Sequence, residues 1–319
     1  MKEESKKLLE KQHYGLIGKN AGIQICRWTK KSLIDEGVCY KEKFYGIKSH
    51  KCCQMSPCLM NCQNKCLHCW RAIEYSEGEK LKNIDEPKKL VEECIKMQRK
   101  LLSGFKGNKK INMKKWNEAQ NPSQFAISLS GEPTLYSKLA ELILELRKRG
   151  KTSFLVTNGL LPERLIELQK KNALPTQLYV SLNYPDEKMF RKITGNKNKN
   201  AWKKLNKTLE LLKKLKTRTV IRINLIRDLN MDDETVEQYA KLVKKASPDF
   251  IEVKGYMSVG YARQRLGYER MPTHSEIKNF ASKLLKYLKK YKFLDEQEVS
   301  RVALLGKDRK MMNIKPDEI

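Results

Sequence analysis

Two kinds of hydrophobic pattern alternate along the chain from about residue 54 to residue 305. Short, nearly continuous apolar runs predict buried strands, and segments with apolar residues every three or four positions predict amphipathic helices. The strands are predicted at 54–60, 125–130, 152–157, 177–182, 220–226, 250–253 and 299–305. The helices are predicted at 84–102 and around the apolar positions of 135–146, 165–168, 205–215, 236–243 and 277–288.

Strands that alternate with helices predict an α/β protein built from parallel βαβ units. About six units are present, which indicates a partial or full (β/α) barrel, and a doubly wound open sheet is the alternative that periodicity does not separate. In either architecture, ligands bind at the carboxyl ends of the strands. Polar residues follow the predicted strands at 130–133, 157–159, Asn183, Asn224 and 254–255.

The pattern divides the chain into three parts. Residues 1–53 are expected to be an N-terminal cysteine-rich extension, 54–305 the barrel, and 306–319 a C-terminal tail. Residues 104–123, rich in lysine and asparagine and with little periodicity, are expected to be an exposed basic insertion. No apolar stretch approaches the ~20 residues of a membrane span, and no secretory signal is recognisable at the start, so a cytoplasmic protein is expected.

Charge adds a partner. The chain has 66 Lys and Arg against 37 Asp and Glu, for a formal net charge of +29, and the lysines are spread over the sequence. A basic excess of this size is typical of proteins that bind nucleic acid, because neutralised phosphates release counterions. A generally basic surface without a nucleic-acid partner is the alternative.

Nine cysteines are present, eight of them within residues 26–69. An odd count in a large chain without a signal fits a metal site better than a disulfide framework. Cys62, Cys66 and Cys69 form a C-x3-C-x2-C motif, and three thiolates on a four-iron cluster leave one iron open for a ligand. Zinc is the alternative, although zinc sites usually show two C-x2-C pairs and only one occurs here.

The C-x3-C-x2-C motif within a series of strand–helix units resembles the radical S-adenosylmethionine (SAM) enzymes. The resemblance implies a 4Fe–4S cluster that binds and cleaves SAM, with His68 departing from the aromatic residue usual before the last cysteine. It also implies SAM contacts at Ser130, Gly131 and Glu132, where the methionine amino group is held. Ribose and carboxylate contacts are expected from Thr157, Asn158, Ser181, Asn183 and Asn224.

Three further cysteines, Cys26, Cys39 and Cys52, are evenly spaced as C-x12-C-x12-C. Together with 39–46, 49–52, 62–71, 130–134 and 252–257, they make the chain similar to the 4-demethylwyosine synthases of wybutosine biosynthesis, in their short archaeal form. The resemblance spans about residues 12–305 and implies that these cysteines bind a second 4Fe–4S cluster with an open iron. Three buried structural cysteines are the alternative, and Cys53, Cys58 and Cys94 are given no role.

This resemblance implies the reaction. The family, whose activity belongs to the carbon–carbon lyases, condenses N1-methylguanosine-37 of tRNA(Phe) with two carbons of pyruvate. The second cluster is expected to bind pyruvate, and a lysine is expected to form a Schiff base with it. Lys41 is the family match, and Lys43 is the neighbouring alternative.

Further expectations concern partners. Trp28, Tyr40, Tyr45, Trp70 and Arg71 either hold splayed bases of the anticodon loop or pack the cluster region. The basic segments 104–123 and 197–204 are expected to follow phosphates. Eukaryotic members carry a flavodoxin-like domain for which this chain has no length, so an external low-potential donor of flavodoxin or ferredoxin type is implied, and a monomer is expected. The competing hypotheses are a methylthiotransferase-like two-cluster enzyme and a non-catalytic zinc-stapled RNA-binding protein.

Overall fold

A computed structural model describes residues 1–318 and contains one ten-stranded sheet. The strands are β1 (Gly15–Ile17), β2 (Ala21–Gln24), β3 (Cys52–Ser56), β4 (Gln124–Ile127), β5 (Thr152–Thr157), β6 (Gln177–Ser181), β7 (Arg218–Leu225), β8 (Phe250–Gly255), β9 (Lys292–Gln297) and β10 (Val302–Gly306). The predicted strand 152–157 is confirmed at both ends, and the others shift by a few residues.

Helices connect most of these strands. They are α1 (Glu3–Lys11), α2 (Arg27–Leu33), α3 (Tyr40–Tyr45), α4 (Pro87–Ser103), α5 (Met113–Ala119), α6 (Leu139–Lys148), α7 (Pro162–Lys170), α8 (Glu187–Thr194), α9 (Ala201–Leu212), α10 (Asp233–Ala246), α11 (Ala262–Leu266) and α12 (His274–Tyr287). Pro begins α4 and α7, where its missing N–H has no intrahelical partner to lose. Thr273 and Glu276 form a capping box that begins α12.

The order of strands decides between the two architectures. From β3 to β8, six strands pair in sequence order and in parallel. A doubly wound sheet reverses its order at a switch point, and this sheet does not. Antiparallel strands extend it at both ends, as β1–β2 before β3 and as β10–β9 after β8. Within residues 1–318, β1 and β9 do not pair, so the barrel is partial.

The two faces of the strands bury different partners. Alternate residues such as Leu155, Leu178 and Ile221 pack outward in a core that includes the apolar faces of α4, α6, α7, α9, α10 and α12. Their neighbours Phe154 and Tyr179 point the other way and pack with α3. This alternation follows from the period of two in a strand. The barrel interior is therefore filled partly by an N-terminal helix.

Helix α3 is fixed inside the barrel by a buried carboxylate. Glu252 of β8 is fully buried and accepts hydrogen bonds from Tyr40 Oη (3.1 Å) and Tyr45 Oη (2.9 Å), both on α3. It also accepts from Arg222 Nε on β7 (3.0 Å). A buried charge is tolerated when it is paired and hydrogen-bonded. The segment that carries Cys39 and Lys41 is thereby joined to the barrel strands.

Several sequence expectations need correction. Segment 104–123 is not wholly an exposed insertion, because it contains α5, and Ala119 and Trp116 pack in a cluster with Leu33 and Leu102. Helix α5 has only seven residues, too few for its apolar spacing to predict a helix. The boundary expected between the N-terminal extension and the barrel, after residue 53, lies inside strand β3, which begins at Cys52. The strands β1, β2 and β9 were not predicted, and neither were the helices α1, α2, α3, α8 and α11, since each is short or mostly polar.

None of the helices within residues 1–318 has the length and apolar character needed to span a membrane.

The packing of α3 predicts a large loss of stability for Phe44→Ala. Phe44 is fully buried in the barrel interior, and truncating it leaves a cavity that should lower the free energy of unfolding by about 3–5 kcal/mol. Phe293→Ala in β9, where the side chain is 38% exposed, removes the same atoms and should cost much less. Urea denaturation measures both, and equal losses would contradict the placement of α3.

Candidate active site

The loop between β3 and α4 carries the first cysteine motif and is held by distant parts of the chain. Lys65 N–H donates to Thr194 O (2.8 Å) and Leu67 N–H to Ile193 O (2.9 Å), which docks the loop on the end of α8. Arg265 of α11 donates to the carbonyls of Leu67 and Cys69 and to the carbonyl of Arg71. The loop therefore has a fixed path, although residues 57–72 lie outside any helix or strand.

The three thiols of the motif, those of Cys62, Cys66 and Cys69, lie beside the buried cation Arg71. Burial raises the pKa of the Cys62 thiol to about 11 and that of Cys66 well above its usual value, while the charge of Arg71 lowers both. Cys69 N–H donates to Cys66 O (3.0 Å), which closes a tight turn between these two residues. Iron binds the thiolate form, so metal loading releases protons that burial otherwise retains.

Unpartnered polar atoms collect around the same loop. Tyr14 Oη, Gln63 Nε2, His68 Nδ1 and Arg71 Nη1 are buried and have no hydrogen-bond partner among residues 1–318. Buried polar groups are nearly always satisfied, so a concentration of exceptions needs an explanation. A polar group bound next to Cys62, Cys66 and Cys69 would supply the missing partners. The donor set thus fits a 4Fe–4S cluster with SAM on its open iron.

Glu132 organises the neighbouring strand ends. Its buried carboxylate accepts from Thr157 Oγ1 (2.6 Å), from Asn158 N–H (2.7 Å), and from the hydroxyl (2.7 Å) and N–H (3.1 Å) of Thr134. Burial raises its pKa, and these hydrogen bonds oppose the rise. Four donors occupy both oxygens, so Glu132 braces β4 against β5. A direct contact from Glu132 to SAM would compete with this bracing.

Ser130 and Gly131 shape the same turn. Ser130 Oγ donates to Leu59 O (2.9 Å), which ties the end of β4 to the cysteine loop. Gly131 adopts φ 72°, and a Cβ at this position would overlap the carbonyl oxygen of Cys58. Only glycine allows this close approach of two backbones.

The next strand ends meet the loop through a histidine. His68 Nε2 is 3.0 Å from Asn183 Nδ2, and Asn183 Oδ1 accepts from Asn224 N–H (3.0 Å). Burial, together with the charge of Arg265, lowers the pKa of His68 to about 4, so the ring is neutral near pH 7. Asn158 Nδ2 lies 3.9 Å from Cys62 Sγ. Ser181 is partly buried at the end of β6 and forms no side-chain hydrogen bond with residues 1–318.

The second cysteine set lines one cavity inside the barrel. Cys26 precedes α2, and its Sγ accepts from Thr29 N–H (3.3 Å). Cys39 precedes α3 and donates its N–H to Ser49 Oγ (2.9 Å), and Cys52 begins β3. The cavity, about 210 Å³, is also lined by Trp28, Tyr40, Lys41, Ile47, Ser49, Gln54, Gln124, Ala126, Ser128 and Arg222. The structure thus brings Cys26, Cys39 and Cys52 to one place.

The charged side chains that line this cavity, Lys41 and Arg222, are both cations. Lys41 Nζ lies 4.6 Å from the centre of the Tyr179 ring and 5.2 Å from that of Phe154. Burial lowers its pKa, and the nearby Arg222 lowers it further. Among residues 1–318, no carboxylate lines the cavity. Three thiols on one cavity wall, with the charge of Lys41 favouring the thiolate forms of Cys39 and Cys52, fit an iron–sulfur cluster, since clusters are held by thiolates.

The two candidate lysines differ in position. Lys43 Nζ is 2.7 Å from Asp295 Oδ1 and donates to Glu296 O (2.6 Å), and its side chain is 46% exposed. Lys41 lines the cavity instead. Two residues apart on a short helix, the two side chains leave in different directions.

Cysteine geometry also limits the metal. Within residues 1–318, no group of three or more His, Cys, Asp or Glu side chains is arranged to hold a single metal ion. Thiolates of a 4Fe–4S cluster bind different iron atoms and need not converge on one point. Cys53 and Cys94 are fully buried on the outward face of the barrel, and Cys58 Sγ donates to Glu132 O (3.0 Å). None of these three lines the cavity.

Comparisons with known proteins give the family. The radical SAM superfamily model matches residues 57–242, and the wyosine base formation model matches residues 245–307. The chain is 48% identical over 309 residues to S-adenosyl-L-methionine-dependent tRNA 4-demethylwyosine synthase of Pyrococcus horikoshii, covering 97% of this chain and 90% of that protein. The chain belongs to the 4-demethylwyosine synthase family.

Other members of the family differ in length. The Methanocaldococcus jannaschii enzyme is 40% identical over 319 residues, covering 98% of this chain and 99% of that protein. The human enzyme is 34% identical over 300 residues, covering 93% of this chain but 40% of that protein. These matches do not favour the methylthiotransferase or zinc-stapled alternatives.

Solved structures confirm the fold of the family. A structure of TYW1 with a lysine–pyruvate adduct bound is 39% identical, with a TM-score of 0.86 and 99% of each chain covered. The crystal structure of archaeal TYW1 is 34% identical, with a TM-score of 0.78 and the same coverage. A radical SAM methyltransferase from Sphaerobacter thermophilus, 14% identical with a TM-score of 0.51 over 74% of this chain and 64% of that chain, shares the fold alone.

Sequence reasoning missed Arg265 as a residue that positions the cluster loop. It lies almost 200 residues after Cys69, and no local pattern connects the two. The basic composition of the chain also concealed it.

The turn at Gly131 predicts a position-specific loss for Gly131→Ala. Besides the cost of a left-handed backbone with a side chain, about 1–2 kcal/mol, the new methyl group must displace the Cys58 backbone. Gly150→Ala is the matched control, because Gly150 also has positive φ (62°) but no atom within 4 Å of its Cβ position. We expect a larger fall in melting temperature and loss of SAM cleavage only for Gly131→Ala. Equal behaviour would contradict this geometry.

Proposed function

We propose that this chain is the radical SAM enzyme that condenses N1-methylguanosine-37 of tRNA(Phe) with pyruvate to form 4-demethylwyosine. Membership of the 4-demethylwyosine synthase family supports the reaction. The observation that carries the proposal within this molecule is one barrel with two cysteine triplets, one at the strand ends and one around an interior cavity that contains Lys41. Its reaction class would be that of a carbon–carbon lyase.

The first triplet and the strand ends would form the SAM half of the site. With a 4Fe–4S cluster and SAM bound, this half would supply the radical chemistry that removes hydrogen from the N-methyl group of the base. Cys62, Cys66 and Cys69 would hold the cluster. Gly131, Ser130 and Glu132 keep the turn close to the loop, and Thr157, Asn158, Ser181, Asn183 and Asn224 would surround SAM.

The second triplet and Lys41 would form the pyruvate half. Cys26, Cys39 and Cys52 would hold a second 4Fe–4S cluster at the cavity wall. The Lys41 amine would add to the keto carbon of pyruvate, and the adduct would lose water to form an imine. The N-methyl carbon would bond to carbon 2 as the bond from carbon 2 to carbon 1 breaks, and carbon 1 would leave with the carboxylate oxygens and the unpaired electron. The TYW1 structure with a lysine–pyruvate adduct supports this role. Lys41 lines the cavity and Lys43 is engaged at the surface, which favours Lys41.

Remaining parts of the proposal concern the cellular context. The electron would come from a separate low-potential donor of flavodoxin or ferredoxin type. A monomer in the cytoplasm, where tRNA is processed, is the proposed working form.

Exposed lysines beside the cluster loop form a surface suited to tRNA. Lys65 lies on the loop, and Lys192, Lys197 and Lys199 lie on or just after α8, on which the loop docks. All four are exposed, and none forms an ion pair within residues 1–318. The target base must leave the anticodon-loop stack to reach the SAM half, and phosphate contacts nearby would hold the loop while it does so.

The two triplets predict separable defects. Cys66→Ala should abolish cleavage of SAM to 5′-deoxyadenosine under a low-potential reductant. Cys52→Ala should leave part of that cleavage but no tricyclic nucleoside, because the pyruvate half is lost. Mass analysis of tRNA nucleosides and of 5′-deoxyadenosine, together with iron content of about eight atoms per wild-type chain, measures both.

Cys53→Ala is the control for this series. Cys53 is adjacent to Cys52 but points to the outward core, so the variant should keep both reactions. Tricyclic product from Cys52→Ala would refute the pyruvate role of the second triplet. About four irons per wild-type chain after full reconstitution would refute the second cluster.

The lysine surface predicts salt-dependent binding of tRNA(Phe). Raising salt from about 50 to about 200 mM should weaken wild-type binding roughly tenfold or more, as two or more released counterions require. Lys65→Ala/Lys197→Ala/Lys199→Ala should weaken binding and reduce the salt slope. Lys286→Ala/Lys289→Ala/Lys290→Ala removes the same charge near the amino ends of the strands and should change the slope little. Fluorescence anisotropy measures both, and identical slopes would refute this surface.

A further inference from the structure

The interior cavity contains one cation whose hydrogen-bonding capacity is only partly used. Arg222 on β7 lines the cavity with Lys41, and the centre of its guanidinium lies 4.7 Å from the Tyr179 ring centre. Nε donates to Glu252 (3.0 Å), whereas Nη2 is buried without a hydrogen-bond partner among residues 1–318. The guanidinium is thus held rigidly on one side and open on the other.

Glu252 does not neutralise the positive charge of the cavity wall as a free carboxylate would. Its two oxygens already accept from Tyr40, Tyr45 and Arg222. Lys254, on the same strand, donates to Ser300 O and faces the Tyr40 ring at 5.8 Å. Within the part of the chain that the structure describes, the cavity wall thus carries Lys41 and Arg222 and no acidic residue, which favours a small anion.

A second arginine on the same strand shows what a structural arginine looks like here. Arg218 is also buried over an aromatic ring, with its guanidinium 5.4 Å from Phe250. Its nitrogens donate to Gln177, Glu318 and Met312 O, so each one has a partner. Arg222 lies four residues further along β7 and differs in its open nitrogen. Bracing alone does not account for that difference.

We propose that Arg222 binds the carboxylate of the small keto acid in this cavity and makes the site selective for an anionic carbonyl compound. This inference rests on the proposed function, because it assumes that Lys41 receives pyruvate. Arginine matches a carboxylate through its planar N–H donors and stays charged at any working pH. Held by Glu252 and Tyr179, the guanidinium would orient the acid before the Lys41 amine reaches the keto carbon.

Reductive trapping tests the role without requiring tRNA turnover. The lysine amine and the keto group lose one water to form an imine, and cyanoborohydride adds hydride while water supplies a proton, leaving a stable secondary amine. Intact-mass and peptide mass spectrometry measure the fraction trapped on Lys41 as pyruvate is varied in reconstituted protein. Methyl pyruvate, the neutral ester, is the matched probe for the carboxylate.

Removing Arg222 alone would leave Glu252 short of its cationic partner, so the comparison starts from Glu252→Gln. That variant, rather than wild type, is the reference for trapping, because Glu252 holds both Arg222 and α3 and its own replacement can shift the pyruvate dependence. The double variant Arg222→Met/Glu252→Gln should require at least about ten times more pyruvate than Glu252→Gln for half-maximal trapping, equivalent to about 1.4 kcal/mol. It should also no longer prefer pyruvate to its ester. Arg218→Gln is the control for losing a buried arginine from β7 and should keep the preference.

The outcomes distinguish failure of the Arg222 role from failure of the lysine step. If the double variant traps pyruvate like Glu252→Gln, or loses pyruvate and ester equally, Arg222 does not recognise the carboxylate and the inference is wrong. If wild-type protein traps neither compound on Lys41, the lysine step of the proposed function is wrong and the inference falls with it. Melting temperatures of all variants show whether a loss arises from unfolding.

Discussion

The carboxylate of Glu252 is the interaction on which the arrangement of this molecule depends. It is fully buried inside the barrel and accepts from two tyrosines of α3 and from Arg222 of β7. A charge buried at this depth is stable only while all its partners are present. The requirement fixes α3 against β7 and β8, so that the helix following Cys39 cannot lie elsewhere. A segment that begins as an N-terminal extension becomes part of the barrel interior.

The placement of α3 puts the lysine cavity on the same sheet as the candidate SAM contacts. Ser181 and Arg222 are opposite each other in the pairing of β6 with β7, so the candidate SAM contacts and the lysine cavity share neighbouring strand positions. The period of two along each strand assigns alternate side chains to the interior and to the helices outside. The proposed SAM half and the lysine cavity therefore lie on neighbouring strands of the same barrel.

The strand-end turns show how much of such a site is internal bracing. Glu132 uses both oxygens to join β4 to β5, and Gly131 allows the turn to touch the cysteine loop. Asn183 connects β6, β7 and His68 in the same way. A sequence motif at these positions thus specifies the shape of the pocket as well as its contacts. Arg265 holds the cysteine loop from a position almost 200 residues further along the chain.

The sequence by itself determined the alternation of strands and helices, the two cysteine triplets and the family resemblance, because periodicity and spacing are local properties. Strand 152–157 and the helix after Asp232 are examples in which the hydrophobic pattern was sufficient. Only the tertiary structure decided that the barrel stays open, that segment 104–123 contains a packed helix, and that Lys41 rather than Lys43 lines the cavity. Those outcomes depend on strand order, on burial of α3 and on partners hundreds of residues away, and none of these leaves a periodic signal in the chain.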